Sequence, residues 1–461
     1  MYGKSRNIHL VGIGGTGMCG IAEVLRNLGY AVSGSDLRAT EVTERLERLG
    51  IRVCLGHRAE HVDGADLVVV SSAIHPDNPE YQRALALGLP VVPRAEMLAE
   101  LMRVKYGVAV AGAHGKTTTT SLLAMVLSQG GLDPTVVVGG RLKAFGSNAR
   151  LGTGDFLVAE ADESDGSFLM LSPAIAVVTN IDAEHLDHYR DLVEIRRAFI
   201  EFVNKVPFYG VAVLCAEDRR VREILPFVRR RQLTYAISQE ADWQASDIRR
   251  EGDRTHFTAS FRGVPWGEFA VRLYGRHNVL NALAAVAVAE ELDVSPEAVR
   301  RALHDFEGVA RRFERKGEVN GVTVVDDYGH HPTELAAVLD TAASLQPGRL
   351  VAVFQPHRFS RTAHHWREFG VTLARADVVL VLPVYAAGEA PLPGVTSELV
   401  AEAARSAGAR EVHVAADFDA AEALLGQLAR PGDLVLTLGA GDVWKVGERL
   451  ISSLALPGRL R

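Results

Sequence analysis

Cysteine is scarce in this chain, and long apolar runs are missing. The three cysteines among 461 residues, Cys19, Cys54 and Cys215, are scattered, odd in number and not spaced as metal ligands. They predict buried or incidental thiols in a reducing compartment. No run of roughly 18 or more apolar residues could span a bilayer, and the first residues lack the features of a signal peptide. We therefore expect a cytoplasmic protein with no membrane partner.

An excess of positive charge is also missing. The formal net charge is −7, with 50 lysines and arginines against 57 acidic residues. This balance argues against a nucleic-acid partner, because general binding of polyanions relies on a positive field. Any polyphosphate ligand must then be held by local features of the chain.

Strands and helices alternate along the chain in three successive blocks. Short apolar runs predict strands at 8–11, 30–33 and 67–70 before a boundary near 103, and further blocks start near 106 and after 312. The second block predicts a helix over 116–129 and, where polar and apolar residues alternate, an antiparallel strand over 255–261. In the third block, Pro332-Thr333 marks the start of a helix. Such alternation predicts parallel, doubly wound sheets. The predicted class is α/β with three domains: a Rossmann-like parallel sheet in 1–103, a central P-loop ATPase-type domain in 104–313 and a Rossmann-like domain in 314–461.

A glycine-rich loop, residues 12–17, follows the first predicted strand and fits the pattern G-x-G-x-x-G, and Asp36 ends the next strand. Glycine allows the backbone to approach a phosphate closely, and the helix that follows supplies oriented N–H groups. Taken alone, this loop favours NAD, with Asp36 on a ribose hydroxyl. A tight turn that needs glycine for packing is the structural alternative. We predict a bound nucleotide diphosphate, of open identity.

A second loop is more specific for phosphate. Residues 111–118, the phosphate loop, read AGAHGKTT between a strand and a helix, although Val110 stands where the strict P-loop pattern has its first glycine. Lys116 can reach β- and γ-phosphates, and the Thr117 hydroxyl can bind Mg²⁺. The loop predicts ATP binding. A dehydrogenase has no need of it, and the segment 179–182 lacks the lysine of a GTPase base-reading motif.

Acidic and polar residues collect after the strands that follow. Glu160 stands directly at a predicted strand end, so it is the preferred Mg²⁺ ligand ahead of Glu163, with a solvated acidic loop as the alternative. His185 lies in a crowded polar segment, 177–188, after the next strand. Binding and catalytic sites of α/β proteins form at the carboxyl ends of parallel strands, so these polar neighbours favour a functional role for the histidine.

Two arginines in the last third of the chain are spaced to act together. Arg358 and Arg361 lie three residues apart after a predicted strand, so on a helical turn both could face one anionic centre. Surface salt bridging is the alternative.

Nine segments, taken in order, resemble the Mur ligase family: HLVGIGGTGMCGIAE, AGAHGKTTTTS, GSNARLG, EADESDGSF, TNIDAEHLDHY, YGRHNVLNALAA, GVARRFE, DDYGHHPTE and FQPHRFSRT. The resemblance covers all three predicted domains. It implies ATP-dependent joining of an amino acid to a carboxylate on a UDP-sugar, through an acyl-phosphate and a tetrahedral intermediate. The implied substrates are UDP-N-acetylmuramate, L-alanine and ATP, with Mg²⁺. The GGTGM and GSNARLG segments favour the alanine-adding members over those that attach a whole peptide.

The resemblance also implies roles for individual residues. The UDP-sugar would be bound by Gly14, Gly15, Thr16, Gly17, Asp36 and Ser72. ATP would be bound by Gly112, Ala113, His114, Gly115, Lys116, Thr117, Thr118, Asn278, Asn281 and Asp327. The metal ligands would be Thr117, Glu160 and His185. The reacting carboxylate and the alanine would be held by Tyr328, His330, His357, Arg358 and Arg361. The catalytic residues would be Lys116, His330, Arg358 and Arg361.

Two positions depart from the family pattern. Ala113 replaces a usual threonine, which removes a hydroxyl but no backbone amide, and Pro383-Val384-Tyr385 stands where Asp-x-Tyr is common, so no role is assigned there.

We expect a monomer or a weak homodimer. Two alternatives of another class stay open: an NAD-dependent oxidoreductase built on the loop at 12–17, and a nucleotide sensor without chemistry.

Overall fold

The computed structural model describes residues 6–71, 73–142, 147–185 and 188–455, with the backbone alone at 16, 139–142 and 147–148. They form two compact units, one of 1–272 and 276–309 and the other of 273–275 and 310–461. Three sheets with helices between their strands confirm the predicted three-domain α/β class. The domain bounds at 103 and 313 stay predictions. Within the described ranges, no helix has both the length and the apolar character needed to cross a bilayer.

The first sheet is built from β1 Asn7–Val11, α1 Thr16–Asn27, β2 Ala31–Asp36, α2 Glu41–Arg48, β3 Arg52–Leu55, β4 Leu67–Val70, α3 Pro79–Ala86, β5 Val91–Pro93 and α4 Arg94–Met102. Its strands are all parallel, in the order β3-β2-β1-β4-β5. The strands predicted at 8–11, 30–33 and 67–70 are confirmed as β1, β2 and β4. Because β1 lies between β2 and β4, the loop that follows it opens where the strand order reverses, which is where α/β sheets bind ligands.

The central sheet has ten strands among the residues that the structure describes. In chain order its elements are β6 Tyr106–Ala111, α5 Lys116–Gln129, β7 Thr135–Leu142, β8 Ser147–Arg150, β9 Phe156–Glu160, β10 Ile175–Val178, α6 Leu192–Asn204, β11 Val211–Cys215, α7 Arg219–Ile224, β12 Gln232–Ala236, β13 Trp243–Glu251, β14 Arg254–Phe261, β15 Val264–Val271, α8 Arg276–Glu291 and α9 Pro296–Asp305. The strand order is β15-β14-β13-β12-β11-β10-β6-β9-β7-β8. The helix predicted at 116–129 is confirmed with those bounds, and so is the antiparallel strand predicted at 255–261.

Continuous apolar runs place the middle strands of this sheet in its core. The strands β10 and β11, IAVV and VAVLC, are buried at every position, and β6 is buried at all but its first. Parallel strands covered by helices on both faces need such runs rather than alternation. The polar loops after β6, β9 and β10 therefore emerge from one edge of a rigid, buried layer.

The second unit carries the third sheet. Its elements are β16 Glu314–Val319, β17 Val322–Asp327, α10 Pro332–Ser344, β18 Arg349–Phe354, α11 Phe359–Leu373, β19 Val378–Val381, α12 Ser397–Ser406, β20 Val412–Val414, α13 Phe418–Leu428, β21 Asp433–Leu438 and α14 Trp444–Leu454. The order is β16-β17-β21-β18-β19-β20, parallel except for β16. The helix start predicted at Pro332 is confirmed, with His331 and Glu334 closing a capping box.

Candidate functional site

The first glycine loop is held by the end of the neighbouring strand β2. The backbone carbonyl of Ser35 accepts the N–H groups of Gly12 and Ile13, both at 2.9 Å. The Asp36 carboxylate, predicted to line the nucleotide's site, accepts the N–H of Gly14 at 2.9 Å. Asp36 therefore lies beside the predicted diphosphate loop and fixes its shape. The predicted contacts of Ser72 lie outside the described residues, as does the side chain of Thr16.

The phosphate loop requires glycine at its first turn. Gly112 has φ +133°, and a Cβ added there would lie 2.1 Å from Thr179 Oγ1. The Thr179 hydroxyl donates to the carbonyl of His114 at 2.6 Å. The Asn180 side chain accepts from the His114 N–H at 2.8 Å and donates to its carbonyl at 2.9 Å. The segment after β10, which lacks a base-reading lysine, thus braces the loop after β6.

The amine of Lys116 is surrounded by oxygen atoms. It donates to the carbonyls of Gly112 at 2.6 Å and Ala113 at 3.3 Å, and it lies 2.8 and 2.9 Å from the two carboxylate oxygens of Glu163. Burial opposes the charge on the amine, but the carboxylates of Glu163 and Asp162 outweigh it, so the pKa of Lys116 lies above its ordinary value. The lysine is a fixed positive charge at the loop.

Three side chains come close enough to share a metal ion. Ligand atoms of Glu163, Glu184 and His185 all lie within 4.8 Å of one another. Two carboxylates and one imidazole suit a divalent cation, and the carboxylate oxygens are of the kind that Mg²⁺ prefers. His185 has φ +57°, a backbone conformation that side-chain-bearing residues rarely adopt and that often marks a functional position. Glu160, at the last position of β9, is not in this group among the described residues, and it stays a predicted ligand.

The two predicted asparagines of α8 lie against the phosphate loop. Asn281 accepts from the Thr119 hydroxyl at 3.2 Å and donates to the side chain of Asn278 at 3.0 Å. A Cβ added to Gly115 would lie 2.7 Å from Asn281 Oδ1, and Gly115 has φ +83°. Only glycine allows this approach, so α8 and the loop are packed as one piece. Thr117 and Thr118 are buried in the first turn of α5.

In the second unit, Asp327 is buried at the end of β17. Its two oxygens accept the N–H groups of Gly329 and Phe313, each at 2.7 Å. Burial raises the pKa of Asp327 to about 6, against the opposing charge of Arg312. Tyr328, the next residue, has the Arg312 guanidinium 5.3 Å from its ring centre, so a cation–π contact holds the ring.

Two histidines, His330 after β17 and His357 after β18, lie close together. The ring centres of His330 and His357 are 5.7 Å apart, and Tyr385 stacks on His357 at 5.5 Å and 10°. Arg361 Nη1 lies 3.2 Å from His357 Nδ1, and because arginine only donates, that nitrogen is the acceptor. Burial lowers the pKa of His330 to about 3 and that of His357 to about 4, the latter helped by the charge of Arg361. Both rings are therefore uncharged at neutral pH.

The backbone at the N-terminus of α11, where the two arginines lie, is held by the loop after β19. Arg358 precedes the helix at φ +68°, and its N–H donates to the Tyr385 carbonyl at 2.8 Å. Glu389 accepts from the N–H and hydroxyl of Ser360 at 2.9 and 2.6 Å, which caps the first turn. The loop after β19, to which no role was assigned, thus positions Arg358 and the turn that carries Arg361.

Sequence reasoning missed several contributors to these sites. Glu184, Thr179, Asn180, Tyr385 and Glu389 act through contacts with residues distant in the chain. A signal was present for the first three, because they follow a strand next to the phosphate-loop strand.

Comparisons with known proteins agree across the whole chain. Three family profiles match in order: "Mur ligase family, catalytic domain" over 7–106, "Mur ligase middle domain" over 110–289 and "Mur ligase, glutamate ligase domain" over 311–441. The UDP-N-acetylmuramate–L-alanine ligases of Geobacter sp. (strain M21) and Syntrophotalea carbinolica are each 57% identical, over 98% of this chain and 99% and 98% of their own lengths.

Comparison with solved structures also finds ligases of this kind. The UDP-N-acetylmuramate-alanine ligase MurC of Thermotoga maritima superposes with a TM-score of 0.81 at 30% identity, over 97% of this chain and 98% of that one. A murein peptide ligase of Psychrobacter arcticus superposes with a TM-score of 0.71 at 28% identity, over the same shares of the two chains. With three matching profiles and near-full-length relatives, this chain belongs to the Mur ligase family.

Proposed function

We propose that this protein is an ATP-dependent ligase that joins L-alanine to the lactyl carboxylate of UDP-N-acetylmuramate in peptidoglycan precursor synthesis. The observation that carries the proposal is the 57% identity, over 98% of the chain, to relatives named for this reaction. The contacts of the two units support the individual steps.

The first step makes the carboxylate reactive. A carboxylate resists attack by an amine because it is negatively charged and has no good leaving group. We propose that a carboxylate oxygen attacks the γ-phosphorus of ATP, so that an acyl-phosphate forms and ADP leaves. Lys116, fixed as a cation by Glu163 and two loop carbonyls, offsets the charge on the phosphoryl group.

Magnesium fits the same group of side chains. The predicted ligands Thr117, Glu160 and His185 are joined in this proposal by Glu163 and Glu184, whose oxygens suit Mg²⁺. When bound, the cation neutralises phosphate charge.

The second step forms the amide. Once the ammonium group of L-alanine has lost a proton to solvent or to an acidic neighbour, the amine attacks the carbonyl carbon. The tetrahedral intermediate collapses, inorganic phosphate leaves, and the nitrogen loses its extra proton to the phosphate or to solvent. Arg358 and Arg361 would hold carboxylate or phosphate oxygens. His330 is neutral and its Nδ1 donates to the Tyr328 carbonyl at 3.1 Å, so its Nε2 can accept a hydrogen bond from the ammonium group of alanine. His357 is also neutral, but its Nδ1 accepts from Arg361, so its Nε2 is a donor that can hold a carboxylate oxygen of alanine. Their low pKa values make proton transfer to either ring unfavourable, so their proposed role is to orient the amino acid.

Isotope transfer tests the route. UDP-N-acetylmuramate with oxygen-18 in its carboxylate should release labelled phosphate, and unlabelled phosphate would exclude the acyl-phosphate. Phosphate release should also require both UDP-N-acetylmuramate and L-alanine, and release with neither would contradict the ligase assignment.

The likeness to a murein peptide ligase makes peptide attachment the second candidate. A coupled assay with alanine, glycine, serine and a tripeptide separates the two, because the proposal expects turnover with alanine and none with the peptide. Cytoplasmic location and a monomer or weak homodimer complete the proposal, and cell fractionation and sedimentation check them.

A further inference from the structure

A buried carboxylate outside the predicted sites lies at the centre of a hydrogen-bond cluster in the first sheet. Glu80, in α3, is fully buried. Its Oε2 accepts from Ser35 Oγ at 2.6 Å and lies 3.2 Å from His9 Nε2. Its Oε1 accepts from the Arg58 N–H at 3.2 Å and lies 2.8 Å from His61 Nδ1. Four donors thus converge on one carboxylate, which is the condition for burying it in ionised form.

The ionised carboxylate decides where the protons of its neighbours lie. Because it only accepts, His9 Nε2 and His61 Nδ1 must each carry a proton. The hydroxyl of Ser35 uses its one hydrogen to donate a hydrogen bond to Glu80. His57 Nδ1, 3.0 Å from the serine oxygen, must therefore donate to that oxygen. Burial would raise the pKa of Glu80, but the bonds from His9, Ser35 and His61 outweigh it and lower the pKa to about 2.

Ser35 joins this cluster to the first glycine loop. Its hydroxyl is bound to the buried carboxylate, and its backbone carbonyl accepts the N–H groups of Gly12 and Ile13 at 2.9 Å each. The next residue, Asp36, accepts the N–H of Gly14 at 2.9 Å. The end of β2 therefore fixes three consecutive loop residues on one side and is fixed by α3 on the other.

We propose that Glu80 is a positioning residue for UDP-sugar binding: through Ser35 it holds the loop at 12–17 in the geometry that receives the diphosphate. The inference rests on the proposed function, which assigns the UDP-sugar to this loop. Glu80 itself has no contact with the ligand in this proposal. Backbone N–H groups bind phosphate only from defined positions, so a loop displaced by about 1 Å loses much of its affinity.

Glu80→Gln is the first test. The amide keeps the size of the side chain, but its NH₂ group would face two of the four donors, whichever oxygen it replaces. We expect KM for UDP-N-acetylmuramate to rise about tenfold or more. KM for ATP and kcat should change less than about twofold, since the phosphate loop belongs to another sheet. A general loss of folding would lower the apparent kcat, because less enzyme is active, and would leave both KM values unchanged, so this split separates positioning from mere structure.

Asp66→Asn is the matched control. Asp66 accepts the N–H groups of Arg6 and Asn7 at 2.8 and 2.9 Å, so it also ties a carboxylate to β1, but at the end of the strand away from the loop. Its loss should leave KM for UDP-N-acetylmuramate unchanged. An equal rise in this variant would contradict the proposal, because any lost carboxylate in the domain would then have the same effect.

Ser35→Ala covers the case in which Glu80→Gln does not fold. It removes the hydroxyl alone and keeps the backbone carbonyl that binds the loop. KM for UDP-N-acetylmuramate should rise about three- to tenfold, and an unchanged value in a folded variant overturns the inference.

If the wild-type chain forms no product, the proposed function fails instead. Calorimetric titration with UDP-N-acetylmuramate in the absence of ATP then decides the role of Glu80 by itself.

Discussion

Removing the amine of Lys116 should leave a buried carboxylate without its partner. The amine lies 2.8 and 2.9 Å from the oxygens of Glu163, whose side chain is only 4% exposed. Breaking one side of a buried ion pair costs about 3–5 kcal/mol. We expect Lys116→Met to lower the free energy of unfolding of its unit by about 3 kcal/mol, the low end of that range, because burial already raises the pKa of Glu163 and the unpaired carboxylate can take up a proton.

The double variant Lys116→Met/Glu163→Gln should separate stability from activity. Replacing both partners of a buried pair by neutral groups is often close to neutral for stability, because no charge is left unpaired. We expect its free energy of unfolding to return to within about 1 kcal/mol of the wild type. Phosphate release should stay absent in both variants, since neither has the Lys116 ammonium group at the phosphate loop.

Urea unfolding followed by circular dichroism measures the first quantity, and a phosphate-release assay with all three substrates measures the second. Wild-type stability in the single variant would show that the pair of Lys116 and Glu163 gives no net stabilisation. Activity in the double variant would remove the lysine from the mechanism.

Three further predictions concern other parts of the two units. Gly112→Ala should abolish ATP binding in a nucleotide titration, because its Cβ would lie 2.1 Å from Thr179 Oγ1, and wild-type affinity would contradict this. Burial raises the pKa of Asp327 to about 6 despite the charge of Arg312. Its contribution to the free energy of unfolding is therefore fully present below about pH 4, the pKa in the unfolded chain, and is lost as pH rises through 6. Asp327→Asn should flatten that slope in urea titrations from pH 4 to 7, and an unchanged slope would refute the shift. Arg361→Lys should lower kcat about tenfold or more in steady-state assays while sparing KM for the UDP-sugar, because lysine lacks the planar donor fork; an unchanged kcat would count against a role for Arg361 in the reaction.

Local pattern predicted elements in each of the three sheets. The helix at 116–129 has the predicted bounds because a glycine turn starts it and two glycines follow it, and both events are encoded within a few residues. The structure then shows why the loop has glycine at 112 and 115, since left-handed backbone and close approach demand that residue type. Burial of β10 followed from a continuous apolar run.

The contacts between distant segments could not be predicted in this way. Glu163 meets Lys116, 47 positions earlier, because β9 and β10 flank β6 in the sheet. Glu80 meets His9 across 71 positions, and Tyr385 stacks on His357 only because β18 and β19 are neighbours.

The sequence by itself determined the order of elements, the two glycine-rich loops and the kinds of side chain that follow each strand, because turn chemistry and apolar periodicity are local properties of the chain. Only the tertiary structure decided which carboxylate lies against Lys116, which residues brace the phosphate loop and that Glu80 holds the first loop through Ser35. Strand order depends on the packing of the whole sheet, so it is set by the sum of many contacts, none of which is visible in a short stretch of sequence.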